Sequence, residues 1–235
     1  MKNSIKPAHG RQLTVHSKIP FHCLAFLLVA VGFVWAQDKK DLTVKDIAQK
    51  VEDAQGAIQD VQMDLDMQMK DSLSGSQQNV KGVVEIKSPD KVFVHYTQPS
   101  EQFLYIGGSL IQMYQPDQKM VYQQKNGDGK GAPLYIGVGK QLKKYIDISK
   151  VSIIKNSDSE VGLLLIPNDN LSAGFDRMKV FIHKKDWWPY QMEMETPSTF
   201  TKAHFSNLAF NKGLKDSLFQ FAPPKGAQVV EGAIF

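Results

Sequence analysis

The first clear pattern in the chain is helical. In the stretch DLTVKDIAQKVEDAQG, the apolar residues Leu42, Ile47 and Val51 recur at near-helical intervals. Thr43 and Asp46 stand three residues apart at the start of this stretch, as a capping box requires. The pattern predicts one amphipathic helix.

After Gly56 the hydrophobic period changes to two. Apolar and polar residues alternate strictly from residue 61 to residue 70. Such alternation is typical of a half-buried strand, in which all apolar side chains lie on one face. The apolar set consists of Val61, Met63, Leu65, Met67 and Met69.

Shorter β-rich runs follow along most of the remaining chain. Their connections contain Pro89, Pro99, Gly107-Gly108 and Pro116, which suit the hairpin turns of an antiparallel meander. No repeat or linker divides the runs, so we predict one domain. The predicted strands cover residues 82–87, 91–96, 103–106, 110–114, 120–124, 162–166, 178–183, 190–195, 200–210 and 219–222.

A second helical pattern interrupts the strands. In LYIGVGKQLKKYID, which spans residues 134–147, Leu134, Val138 and Leu142 fall roughly on one face, so a short helix could lie over a sheet there. The preceding loop KNGDGKGAP is rich in glycine, but a phosphate-binding glycine turn opens directly into a helix. Here Pro133 follows without a Gly-Lys-Ser/Thr sequence, which argues against phosphate binding.

The N-terminus has the layout of an export signal. Residues 1–20 contain basic and no acidic side chains, and an apolar run over residues 21–36 ends in Val34-Trp35-Ala36. We predict a signal peptide at 1–36, cleaved near Ala36, and one mature domain at 37–235. A retained membrane anchor is the alternative, although the run is shorter than the roughly 20 residues that span a bilayer.

Charge and cysteine content add little to this picture. The whole chain has a net charge of +4 and a pI of about 8.9, but the leader alone supplies Lys2, Lys6, Arg11 and Lys18 without an acid. The exported part is therefore close to neutral, and nothing favours nucleic acid as a partner. The single cysteine, Cys23, leaves with the signal, so no disulfide is expected.

The sequence offers few groups for catalysis or metal binding. His95, His183 and His204 are scattered over separate predicted strands, and no Gly-x-Ser-x-Gly elbow is present. Asp64 and Asp66 fall on the polar side of the alternating strand, where a solvated outer face is the simpler interpretation. We therefore expect no enzyme, no catalytic residue, no metal and no cofactor; a lipid hydrolase is the enzyme alternative.

Methionines are frequent on the predicted strands. Unbranched and polarizable, methionine adapts to irregular partners and is favoured at promiscuous binding surfaces. An ordinary apolar core would explain the same composition equally well. Besides the first strand, they recur at Met113, Met120, Met178, Met192 and Met194.

Two stretches resemble the LolA family of outer-membrane lipoprotein carriers. The first, GVVEIKSPDKVFVHYTQPSEQFLYIGGSLIQMYQP, has the family's succession of a glycine-led strand, proline turns and a strand ending in Tyr-x-Pro. The second, FQFAPPKGAQVV, is similar to the family's ending, in which Phe-x-Phe precedes Pro-Pro-x-Gly. The similarity of layout covers residues 37–235.

The resemblance implies a mainly β, α+β fold, an incomplete antiparallel β-barrel of about eleven strands whose apolar cavity is closed by a helical lid. It further implies a monomeric periplasmic carrier of lipoprotein acyl chains, with an inner-membrane ABC transporter as donor and an outer-membrane lipoprotein receptor as acceptor. A related module that binds another envelope lipid or senses mislocalised lipoproteins is the alternative function.

Candidate site residues follow from strand parity and from the resemblance. Leu134 and Val138 would belong to the lid. Ser88 occupies the position before the first turn proline, where well-studied family members have an arginine linked to lid closure, so lid control is expected to differ here. By parity, the predicted cavity wall comprises Met63, Leu65, Met67, Val84, Ile86, Val92, Val94, Tyr96 and Met113.

Overall fold

The computed structural model describes residues 42–125, 134–232 and 234. The predicted signal peptide at 1–36 lies outside the described residues. The described chain contains helices α1 (Val44–Ala57), α2 (Leu134–Asp147) and the single turn α3 (Asn170–Ala173), and two 3-10 turns at Pro116–Gln118 and Asp216–Phe219. Its strands are β1 (Asp60–Asp71), β2 (Gln77–Lys87), β3 (Lys91–Gln98), β4 (Gln102–Gly107), β5 (Leu110–Gln115), β6 (Met120–Lys125), β7 (Ser149–Asn156), β8 (Glu160–Pro167), β9 (Arg177–His183), β10 (Pro189–Glu195), β11 (Thr199–Phe210) and β12 (Gln228–Glu231).

The twelve strands of the described chain form one open, curled sheet in the order β12-β6-β5-β4-β3-β2-β1-β11-β10-β9-β8-β7. Antiparallel hairpins connect β1 to β6 and β7 to β11, and the antiparallel pair β1–β11 joins these two halves. The short β12 runs parallel to β6. The predicted incomplete antiparallel barrel is thus confirmed, with one strand more than the eleven expected.

The start of α1 confirms the capping box. The backbone N–H of Asp46 donates to Thr43 Oγ at 3.1 Å, and the backbone N–H of Thr43 donates to a carboxylate oxygen of Asp46 at 3.0 Å. These bonds satisfy backbone groups that a helix end otherwise leaves unpaired. Ile47 and Val51 on the apolar face of α1 are fully buried.

The concave face of the sheet carries the hydrophobic core. Alternation in β1 buries Met63, Leu65 and Met67, and each stands opposite an inward-facing position of the neighbouring strands. Because most strands have one apolar face, curling the sheet brings these faces together and removes them from water. The core forms one contiguous cluster across both halves of the sheet.

Both longer helices lie against the half of the sheet made by β7 to β10. Helix α2 contacts α1 and strands β7, β8 and β10, and α1 also contacts β7. In α2, Leu142 is fully buried and the ring of Tyr145 meets Phe175 edge-on at 5.9 Å. Burial raises the pKa of Tyr145 to about 12. The predicted second helix is confirmed, and it packs as part of the core.

The outer face of β3 to β5 carries a second apolar cluster. Aromatic rings on these strands contact one another, with centroids 4.9 Å apart for Phe93 and Tyr105 and 4.8 Å apart for Tyr105 and Phe221. Phe221 comes from the segment 211–227, here termed the C-terminal strap. The strap also buries Phe219. The predicted strand at 219–222 is wrong. The backbone there is the end of a 3-10 turn followed by irregular structure, and the side chain of Phe221 packs into the outer cluster.

Buried and half-buried polar groups anchor the strap. Asp60, 3% exposed at the start of β1, accepts backbone N–H bonds from Lys212 at 2.7 Å, Gly213 at 3.0 Å and Leu214 at 3.1 Å. Lys87 Nζ donates to the Leu214 carbonyl oxygen at 2.6 Å. The strap is therefore fixed at its beginning by the first two strands.

Asp216 provides a pH-dependent part of this anchoring. Hydrogen bonds from Lys87 at 2.9 Å and Lys91 at 3.0 Å lower the pKa of the Asp216 carboxyl from its ordinary 3.8. A lowered pKa stabilises the fold above the ordinary value, and this contribution is lost as the pH falls through the folded-state value. We expect Asp216→Asn to lower the urea unfolding midpoint at pH 7. The difference in midpoint from the natural protein should vanish as the pH falls below the lowered pKa of Asp216. Asp90→Asn on the nearby exposed turn is the control, and a difference that persisted at low pH would contradict this role.

Candidate functional site

The predicted wall residues meet on the concave face of the first half of the sheet. Met63 stands opposite Val84, which stands opposite Val94 on the next strand. Most of the predicted set is less than 10% exposed, while Val92 and Met113 are partly buried and pack against the same core. Strand parity therefore placed all nine wall residues on one surface.

A cavity of about 180 Å³ opens at the end of the barrel where β1 meets β2 and β3 meets β4. Of the nine predicted wall residues, Met67, Tyr96 and Met113 line it. The other six belong to the hydrophobic core or pack against it, and they do not line the cavity. The described residues around the cavity are Met67, Met69, Gln78, Val80, Tyr96, Gln98, Pro99, Ser100, Gln102 and Met113.

Three methionines give the cavity an adaptable wall. Met67 is almost completely buried, whereas Met69 and Met113 retain partial exposure. Flexible thioether side chains can rearrange around an irregular apolar guest at low cost. At about 180 Å³ the cavity is small. It suits the end of one acyl chain.

Sequence analysis missed the polar mouth of this cavity. Gln78 and Gln102 have the inward parity of Val80 and Leu104, one inward position closer to the strand end, and Gln98 lines the cavity from the end of β3, past a register shift. For Gln78 and Gln102 the signal was present, because the alternation that selected the apolar wall continues into them; for Gln98 the register shift hides it. A prediction restricted to apolar residues left them out.

The predicted lid lies outside this picture. The side chains of Leu134 and Val138 are outside the described part of the chain, and α2 contacts the β7–β10 half of the sheet. A helical lid over the cavity is therefore not confirmed. A lid role for these two residues stays a prediction.

Ser88 is tied to the junction between α1 and β1. Its Oγ donates to the carbonyl oxygen of Ile58 at 3.1 Å, and its backbone N–H donates to the carbonyl oxygen of Gln59 at 2.8 Å. Ser88 is thus bonded to the two residues that follow α1, and α1 packs on α2. Whether it controls opening stays a prediction.

The polar candidates lie on outer surfaces and are engaged in structural contacts. Asp64 accepts a hydrogen bond from Asn207 at 2.7 Å, and Asp66 forms an ion pair with Lys81 at 3.2 Å. His95 contacts Glu101 in the first half of the sheet, whereas His183 and His204 both contact the ring of Tyr190 in the second half. Within the described ranges, no group of three or more His, Cys, Asp or Glu side chains could hold a metal ion.

Tyr190 sits in a small polar cluster on the outer face of the second half. Its hydroxyl donates to Glu160, which also pairs with Lys155 at 2.6 Å. Burial and the bond to Glu160 raise the pKa of Tyr190 to about 12. The carboxylate thereby joins β8 to β7 and β10.

None of the helices in the described ranges is both long and apolar enough to cross a membrane.

Fold and cavity together define a class: incomplete β-barrels whose apolar concave face opens at one end. A family model described as outer membrane lipoprotein carrier protein LolA matches residues 40–222. The chain belongs to this family.

Individual relatives are distant. An uncharacterized protein of Methanocaldococcus jannaschii is 22% identical over 209 residues, which cover 87% of this chain and 58% of that protein, so the chain spans little more than half the length of this curated relative. An uncharacterized conserved protein from Thermus thermophilus has the same fold, with a TM-score of 0.53 at 13% identity over 80% of this chain and 98% of that one. A LolA superfamily protein from Nitrosomonas europaea aligns with a TM-score of 0.41 at 12% identity, over 76% and 98% of the two chains.

Proposed function

We propose that this protein is a periplasmic carrier that binds the acyl chains of lipoproteins and shuttles them from the inner to the outer membrane. The observation that carries the proposal is the methionine-lined cavity at the open end of an apolar concave sheet. Family membership supports lipoproteins as the cargo. The donor would be an inner-membrane ABC transporter, and the acceptor an outer-membrane lipoprotein receptor.

Energetics explain why such a carrier needs a cavity but no catalytic group. Burial of one methylene contributes about 0.8 kcal/mol. A chain of about sixteen carbons therefore gains on the order of 12 kcal/mol before ordering costs. Spontaneous release into water would be very slow, so the cargo must pass directly between apolar surfaces. No bond needs to be made or broken, and the protein acts as a binding protein and not as an enzyme.

The cavity must widen when a whole chain enters. Its volume of about 180 Å³ is below the about 300–1,000 Å³ of pockets that hold drug-sized ligands. Met69 and Met113 are only partly buried and border the opening, so they can move aside at the lowest packing cost. Loading is thus a repacking of the first half of the sheet.

Uptake of a neutral fluorescent probe tests this function. We expect the delipidated protein to bind N-phenyl-1-naphthylamine stoichiometrically, and a synthetic triacylated lipopeptide to displace it. The same peptide without acyl chains is the control. Absence of uptake, or equal displacement by the unacylated peptide, would refute the carrier function. Displacement by phospholipid alone would indicate a different envelope lipid as cargo, and turnover of the lipopeptide would indicate a hydrolase.

A further inference from the structure

Three neighbouring strands present a glutamine at the mouth of the cavity. Gln78 begins the inward face of β2 and Gln102 begins that of β4, while Gln98 ends β3 just past the register shift between β2 and β3. Since the three strands are antiparallel neighbours, these positions meet at the same end of the sheet. All three residues line the cavity. The mouth is therefore a row of amide groups above an apolar interior.

The described lining of the cavity is made of apolar and uncharged polar side chains alone. Ser100 orients the row, because Gln102 Nε2 donates to Ser100 Oγ at 3.1 Å. An amide nitrogen has two N–H groups, so this bond leaves Gln102 a second donor for a guest. Gln102 is partly buried, and its bond to Ser100 orients its side chain at the opening.

The charged side chains closest in sequence to the row are engaged elsewhere. Glu101 bonds to His95 Nε2 at 3.0 Å, and Lys81 pairs with Asp66 on the outer face. Asp71 accepts backbone N–H bonds from Leu73 and Ser74 in the β1–β2 turn. A charged guest at the mouth would meet neutral amides and would gain no counter-ion from the described lining.

We infer that the site selects acyl chains by the linkage at their head: a neutral ester or amide carbonyl accepts hydrogen bonds from the glutamine row, while a free fatty-acid carboxylate is discriminated against. This inference rests on the proposed function and specifies its ligand chemistry. Gln102, oriented by Ser100, is the principal specificity-determining residue, with Gln78 and Gln98 beside it. The apolar chain extends inward towards Met67 and Met113.

Three ligands with the same ten-carbon chain separate the contributions of charge and carbonyl. Glycerol monodecanoate carries a neutral ester, decylglycerol ether lacks the carbonyl, and decanoate is charged at pH 8. Each is titrated against bound N-phenyl-1-naphthylamine. We expect the ester to displace the probe at about threefold lower concentration than the ether, which lacks the carbonyl acceptor, and at about tenfold lower concentration than decanoate, whose charge finds no counter-ion at the mouth.

Variants at the mouth distinguish recognition from general hydrophobicity. Gln102→Leu should abolish the preference for ester over ether, and Gln102→Lys should improve decanoate binding about tenfold relative to the ester. The control is Gln112→Lys, because Gln112 bonds to Gln123 on the outer face of the same half. Equal displacement by ester and ether, or a ligand ranking that Gln102→Lys leaves unchanged, would overturn the inference alone. Failure of all three ligands and of the lipopeptide to displace the probe would instead overturn the proposed function.

Discussion

Met67→Glu is expected to abolish uptake of acyl chains while the protein stays folded. Met67 is 2% exposed and lines the cavity beside Met113 and Tyr96. A carboxylate there places a charge where the chain must lie, which costs several kcal/mol in the loaded state unless the group is neutralised. In the empty protein, water entering the cavity can hydrate the carboxylate, so the loss of stability is smaller. Probe uptake and a thermal melt, measured on the same preparation, separate the two effects.

Met178→Glu is the matched control for this substitution. Met178 is also an inward-facing, fully buried methionine, but it lies on β9 between Leu165 and Met194, in the half of the sheet that the helices cover. A carboxylate at that site has no described cavity beside it, and we expect it to destabilise the fold by several kcal/mol. If Met67→Glu destabilised the protein as severely as Met178→Glu, Met67 would be ordinary core and the proposed site would be wrong.

Gly82→Ala is expected to be the most damaging single-methyl addition in the first half of the sheet. A Cβ atom at Gly82 would lie 2.4 Å from the carbonyl oxygen of His95 and 3.0 Å from the Cα of Tyr96. Both are backbone atoms of β3, at the point where the register between β2 and β3 shifts. Relief of the contact requires the two strands to separate, so we expect a loss of about 3 kcal/mol of unfolding free energy, the upper end for overpacking. Urea denaturation measures it.

Gly107→Ala provides the comparison. Gly107 ends β4, and a Cβ atom there would have no heavy atom within 4 Å. We expect its unfolding free energy to change by less than about 0.5 kcal/mol, as at surface positions without special contacts. Similar midpoints for Gly82→Ala and Gly107→Ala would mean that β2 and β3 can move apart easily at this point.

Strand parity predicted most of the fold, because the alternation of apolar and polar residues is a local property. Met63, Leu65 and Met67 needed no tertiary information to be assigned to one face, and the structure confirms that face as the concave one. The capping pair Thr43 and Asp46 was equally local. Strand parity and helix capping depend on a few neighbouring residues, and packing elsewhere in the molecule does not alter them.

The parts that escaped prediction depend on distant contacts. β7 was not predicted. It is an edge strand without a fully buried side chain, and Ile154 on it is 44% exposed. A strand that buries so little needs no regular alternation of apolar and polar residues, and its sequence shows none. The strap was predicted as a strand because Phe219 and Phe221 alternate, but the ring of Phe221 contacts Tyr105 and Tyr114, which lie more than a hundred positions earlier in the chain. No local pattern distinguishes insertion into an outer cluster from pairing in a sheet.

The candidate site was predictable as a surface and not as a cavity. Val84 and Tyr96 share the inward parity and are both buried, yet of the two only Tyr96 borders the open space. Which part of an apolar face is filled depends on where other elements pack, and α1 and α2 occupy the β7–β10 half. That arrangement is set by tertiary contacts between segments far apart in the chain.

The antiparallel pair β1–β11 has a consequence for the order of folding. Each half of the sheet is largely a series of hairpins between strands adjacent in sequence, whereas β1–β11 pairs Asp71 with Thr199 and closes a very long loop. Loop closure of this kind carries an entropic cost before its contacts form, and non-local pairing slows folding. Hairpins can therefore assemble early within each half, and the joining of the two halves becomes the kinetic bottleneck. Until that step the methionine face of β1 is not enclosed by the second half of the sheet, so a partly folded chain presents this apolar surface to solvent.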